Sequence, residues 1–233
     1  MAFGSTYRFT VCRRTGVRMD DRSRSAKAEL YRFFAEFFKP PEEGFYREFT
    51  SPRFPEELAR WFAEAGYAVT ASAPNLRELW PSFEEFAEDY RRAISGTIHP
   101  YAPPVESIYK PWTEDPGAEV PMAGQKGYLY GDPAVHMRHL YDELGIALSP
   151  EYASMPDHLT LELEFLAFLF EAGEAEAARL FIREHLDWLG EFRAELETTP
   201  RGERYARIVA WLEELLRQEP EPENPPAGEK KGG

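Results

Sequence analysis

Residues 154–170, SMPDHLTLELEFLAFLF, constrain the fold more than any other stretch of this chain. Leu159, Phe165, Leu166, Leu169 and Phe170 recur at three- and four-residue spacing, the period of a helix with one face in a core. At helical pitch Thr160, Glu164, Ala167 and Glu171 fall on a narrow polar strip opposite. Ser154 and Asp157 match a capping box, and Pro156 is tolerated in a first turn, so a helix is expected over 156–171. His158 and Glu162 break the pattern, because four apart they land in the middle of the apolar face. An unpaired buried carboxylate is costly, and His158 one turn away is its nearest partner. Two readings stay open at this point. One is a polar pair closing the mouth of a core helix, with Asp157 as a cap; the other is a ligand-facing site.

The same period runs through most of the chain. Over residues 25–39, Leu30, Phe33, Phe34, Phe37 and Phe38 form one stripe, stopped by Pro40-Pro41. Asn75 is expected to cap a long helix carrying Leu76, Leu79, Trp80, Phe83, Phe86, Ala87, Tyr90 and Ile94, with Gly96 at its end and Pro81 as a kink. Asp132-Pro133 opens a helix with Met137, Leu140, Tyr141 and Leu144 inward and Gly145 as its stop. Further helices are expected over 175–197 and 202–217, and no alternating strand pattern occurs. The fold class is therefore all-α. A single bundle-like helical domain spans 21–217, with a division into two lobes at a hinge near 146–157 left open. Residues 97–131 are irregular, 1–20 form an extension without helical period, and the Pro-, Gly- and Glu-rich tail 218–233 is expected to be disordered.

Composition excludes several classes. A chain of 233 residues, 43% hydrophobic and 15% aromatic, can bury a substantial core. A formal charge of −14 argues against a nucleic-acid partner. The single Cys12 allows no internal disulfide and points to a reducing compartment. No apolar run approaches the length of about 18 residues needed to span a membrane. Arg13 and Arg14 are followed by charged residues where an export signal needs an apolar stretch, and Met19 is an alternative start. A cytoplasmic location is expected.

The segment MPDHLTLELEFLAFL resembles the signature of the TorD/DmsD/NarJ superfamily of molybdoenzyme maturation chaperones, an Asp-His hinge followed by a Glu-Leu-Glu-Phe-type helix. YAPPVESIYKPW, residues 101–112, is similar to that family's proline-rich loop ending in Glu-Ser-x-Tyr. DPAVHMRHLYDELGIAL, residues 132–148, resembles its preceding helix, with Tyr141 and Gly145 at the matching places. The likeness spans residues 25–215 in family order. It implies a cytoplasmic, non-enzymatic helical chaperone without a cofactor, acting as monomer or homodimer. Its partner would be the precursor of a molybdopterin-containing oxidoreductase subunit, bound through a twin-arginine leader. The resemblance assigns client contact to Asp157 and His158 at the hinge, with Glu162 orienting His158. It adds Pro104, Glu106, Ser107 and Tyr109 on the loop, and Trp80 and Tyr90 from the long helix if exposed. A leader offers two arginines beside an apolar helix-forming segment, which suits an apolar groove rimmed by carboxylates.

Two alternatives compete. His136, His139, His158 and Glu162 supply two helical pairs that would compose the nitrogen and oxygen ligands of a metal-dependent helical-bundle enzyme. Against it, His139 points away from the apolar stripe of its helix, His136 lies on the flank, and the Glu-x-x-His pattern of di-iron bundles is absent. His185, among Phe181, Trp188 and Phe192, reads as a satisfied core histidine. Ser107 lacks a nucleophile elbow and GQKGYLYG lacks phosphate-loop spacing. The other alternative is a leader-independent helical assembly scaffold, which would not require the polar pair.

Overall fold

The aromatic stripe of residues 25–39 lies on α1 (Asp21–Glu36) and the turn after it, and Leu30, Phe33, Phe34, Phe37 and Phe38 are all buried. The computed structural model describes residues 20–70 and 72–221. Cys12, Arg13, Arg14 and Met19, with most of the expected N-terminal extension and the tail beyond residue 221, lie outside the described residues. Among the described residues α1 is followed by α2 (Glu43–Phe49), α3 (Phe54–Ala65), α4 (Leu76–Leu79), α5 (Phe83–Ala93) and α6 (Glu106–Tyr109). Then come α7 (Asp132–Leu144), α8 (Leu159–Ala172), α9 (Ala175–His185), α10 (Leu189–Thr198) and α11 (Glu203–Leu216). There is no strand among them, and one isolated antiparallel bridge joins Val105 to His158. The all-α expectation holds.

α1 runs along α8 and also packs on α3, α9 returns beside α8, and α10 pairs with α11. The Phe33 ring meets Phe37, Phe54, Trp61 and Trp211 at centroid distances of 5.1 to 6.2 Å. Phe37 extends the cluster to Phe45, Phe49 and Trp80. Each Phe buried this way contributes about 1.5–3 kcal/mol over its exposed state. This aromatic packing is what holds α2 and α3, two short helices to which the sequence period assigned nothing.

Three expected helices differ. The helix expected between Asn75 and Gly96 is two helices, α4 and α5. Pro81 forces Trp80 into an extended conformation (φ −126°, ψ 93°), and Ser82 restarts the helix by accepting from the Glu85 amide at 3.3 Å. The helix expected over 175–197 divides after His185, whose carbonyl accepts from the Trp188 indole at 2.8 Å. The capping box at Ser154 does not form, since α8 begins at Leu159 with His158 as its N-cap. Nor is α8 polar along one strip. Thr160 and Ala167 are fully buried under α1, and only Glu164 and Glu171 reach water, paired with Lys39 at 2.6 Å and Arg32 at 2.5 Å. Leu144, expected inward, is 39% exposed at the end of α7. Gly145 and Gly173 close α7 and α8 in the left-handed region at φ 66° and 79°.

Candidate functional site

The proline-rich loop and the entrance of α8 meet through the backbone before any side chain is considered. The Glu106 amide donates to the Asp157 carbonyl at 3.0 Å, and the Leu159 amide to the Pro104 carbonyl at 2.9 Å. Asp157 is fully buried, and its Oδ2 accepts from the Ser107 amide at 2.7 Å and from the Ser107 hydroxyl. Burial pushes the Asp157 carboxyl above its ordinary range, and the Ser107 bonds offset part of that. Asp157 thus clamps a loop rather than capping a helix.

His158 Nδ1 accepts from the Thr160 amide at 3.2 Å, and its ring lies 5.0 Å from that of Tyr152. Burial lowers its pKa to about 3, so the imidazole is neutral. The expected His158–Glu162 pair is absent because the cap turns the imidazole toward the Thr160 amide, while Glu162 faces the loop.

Glu162 instead joins a buried polar centre. Its ligand-capable oxygen lies within 4.8 Å of those of Glu106 and His185. Glu106 and Glu162 are fully buried, and neither oxygen of Glu162 meets a donor among the described residues. Glu106 Oε2 lies 2.8 Å from His185 Nδ1, and His185 Nε2 lies 2.8 Å from His136 Nδ1. Lys110 Nζ sits 2.8 Å from Glu106 Oε1 and 2.6 Å from Asp187 Oδ1. Burial raises the Glu106 carboxyl, but the hydrogen bond and charge of His185 and the charge of Lys110 outweigh it and leave it lowered. Burial, then the Glu106 charge, drives the Glu162 carboxyl well above its usual range. His136 is lowered by burial and by the neighbouring His185. A cleft of ≈ 500 Å³ lined by Lys110, His136 and His185 opens over this centre.

Of the residues expected at the site, the fold brings together Pro104, Glu106, Ser107, Asp157, His158 and Glu162. All of them are buried, and Pro104, Glu106 and His158 also line clefts. Tyr109 is 6% exposed, with its hydroxyl on Glu195 at 2.6 Å and its ring stacked on Trp188. Trp80 is wholly in the core, its indole donating to Asp89 at 3.0 Å, so the condition of exposure under which it was assigned to the site is not met. Tyr90 is half-buried and shares a cleft of ≈ 290 Å³ with Pro104 and His158. The metal set His136, His139, His158 and Glu162 does not assemble. His139 lies outside, 3.2 Å from Glu143, and His158 is committed to its cap, while His136, read as flanking, does reach the centre through His185.

Sequence reasoning missed an open groove of ≈ 770 Å³ beside residues 146–152, floored by Ile146, Leu148, Leu161, Phe165 and Phe168. Phe168 is 40% exposed there, and its place four residues from Glu164 and three from Glu171, on the flank of the polar strip, is the signal that could have found it. Glu36, Glu42, Glu151 and Glu164 also line it, and it shares Pro40, Glu151 and Tyr152 with the Tyr90 cleft.

An all-helical chain whose Glu-Ser-x-Tyr loop is clamped by an Asp-His helix entrance matches the motifs noted above. The family model described as nitrate reductase delta subunit matches residues 62–194, more than half of the chain. This protein belongs to that family, within the TorD/DmsD/NarJ superfamily. It is 35% identical over 113 residues to the selenate reductase assembly chaperone protein of Thauera selenatis. The match covers 43% of this chain and 55% of that protein, so the chain spans about half the length of the curated relative it matches. Among solved structures, a chain from Archaeoglobus fulgidus assigned to redox enzyme maturation aligns with a TM-score of 0.48 and 22% identity, over 86% of this chain and 99% of that one.

Proposed function

We propose that this protein is a cytoplasmic, non-catalytic maturation chaperone. It binds the precursor of a molybdopterin-containing oxidoreductase catalytic subunit through a twin-arginine leader and holds it while the cofactor is inserted. The observation that carries the reading is the groove beside residues 146–152. Its apolar floor, with Phe168 open to water, offers a seat for an apolar helix-forming segment. Glu42 and Glu151 lie on its lining with no ion pair among the described residues, and suit two arginines. Glu36 and Glu164 are already shared with Lys39 at 2.6 Å each. The buried Asp157–Ser107 clamp ties the proline-rich loop to the entrance of α8, a positioning role rather than contact. Family membership and the likeness to an assembly chaperone support the class. Among the described residues no helix is long and apolar enough to cross a membrane.

The test is calorimetric titration with leader peptides of the molybdoenzyme precursors encoded in the same genome, each beside a control with both arginines replaced. Saturable binding to one leader that its control lacks names the client. Silence across the panel from folded protein refutes leader recognition and leaves assembly through the client's folded body.

A further inference from the structure

We propose that Glu106, Glu162 and His185 form a binding site for one divalent transition-metal cation of the zinc class. Their ligand atoms lie within 4.8 Å of one another, and all three side chains are buried. Donor atoms around a four-coordinate zinc ion sit about 3.4 Å apart, so small side-chain rotations close the cluster onto an ion. Two carboxylates and an imidazole are a hard-to-borderline donor set suited to such an ion.

The second observation is Glu162. It is fully buried, its two oxygens meet no donor among the described residues, and it faces the equally buried Glu106. Lys110 compensates Glu106 and is itself held by Asp187 at 2.6 Å and by the Glu184 carbonyl at 2.6 Å. No cation of the protein reaches Glu162 in the same way among the described residues. Either a proton shared between the two carboxyls or a bound cation must balance the pair.

The surroundings favour the cation. His185 presents Nδ1 to Glu106, and its Nε2 lies 2.8 Å from His136 Nδ1. With Nδ1 on the ion, Nε2 carries the proton and donates to His136, the outer hydrogen bond that fixes the tautomer of most metal-bound histidines. The cleft over Lys110, His136 and His185 supplies an entry path. An ion there ties α6, the first turn of α8 and the end of α9 together, next to the Asp157–Ser107 clamp.

The experiment uses the full chain stripped with a chelator and titrated with zinc chloride by calorimetry and thermal melting, then with cobalt chloride by visible absorption. One equivalent of zinc should bind with a Kd of about 1 μM or tighter and raise the melting temperature. Glu162→Gln should lower the affinity at least about tenfold and abolish the thermal shift, and His136→Gln should lower it about tenfold to a hundredfold. His139→Ala, outside the cluster, should change neither. If Glu162→Gln does not fold, the His136→Gln comparison decides. The proposal is overturned if zinc uptake is not saturable, or if the variants bind as the parent does, which would leave surface sites such as His139–Glu143 and a shared proton in the cluster.

Discussion

Replacing Asp157 by Ala removes the acceptor of two buried donors, the Ser107 amide at 2.7 Å and the Ser107 hydroxyl. The hydroxyl can rotate to another acceptor, but the amide is fixed by the backbone and is left unsatisfied, at about 1–3 kcal/mol. The lost hydrogen bonds are to a charged group, worth about 1.5–3 kcal/mol each, but the raised carboxyl shows that burial of the charge already offsets part of this. The net expectation is a loss of about 2–3 kcal/mol. Asp157→Asn keeps an oxygen for the same donors and should lose about 1 kcal/mol. Ser107→Ala should also cost about 1 kcal/mol, and the double variant should fall short of the sum by about 1 kcal/mol because both changes break one contact. Urea unfolding followed by far-UV circular dichroism and tryptophan fluorescence measures all four at neutral pH. If Asp157→Ala unfolds within about 0.5 kcal/mol of the parent, or the cycle shows no coupling, the clamp does not exist as described.

Two further outcomes follow from the site. The His158 pKa is lowered from 6.5 to about 3 by burial, so between those values the unfolded chain holds a proton that the folded chain does not. Stability therefore falls as pH drops through that window, by at most about 5 kcal/mol at ~1.4 kcal/mol per unit. His158→Gln should flatten the profile there, and parallel profiles for parent and variant would sink the assignment. Phe168→Ala, at an exposed position, should alter stability by no more than about 0.5 kcal/mol yet weaken leader-peptide binding at least about fivefold by calorimetry. Unchanged affinity would move the leader seat away from the groove.

Helical period made the fold class and the main helices legible, because side chains three and four apart share a face whatever packs on it. The stripe on α1, the Gly145 stop and the all-α class came from local rules. The motifs likewise identified Glu106, Ser107 and Asp157 as residues of one place, although nothing in their spacing said what they do there.

Tertiary structure decided the rest. A helical wheel locates the face of Glu162 but not its neighbour, and the chain brings Glu106 and His185 to it from 56 and 23 residues away by number. The helix entrance turned His158 into a cap and left Asp157 to hold a loop 50 residues earlier. Trp80 and Phe168 show the same limit from opposite sides. Trp80, at a proline break, is sealed in the core, while Phe168, beside the polar strip of α8, faces water, because burial depends on which element covers a face. Local sequence sets the period and direction of side chains, whereas packing between distant segments sets which of them remain exposed, paired or charged.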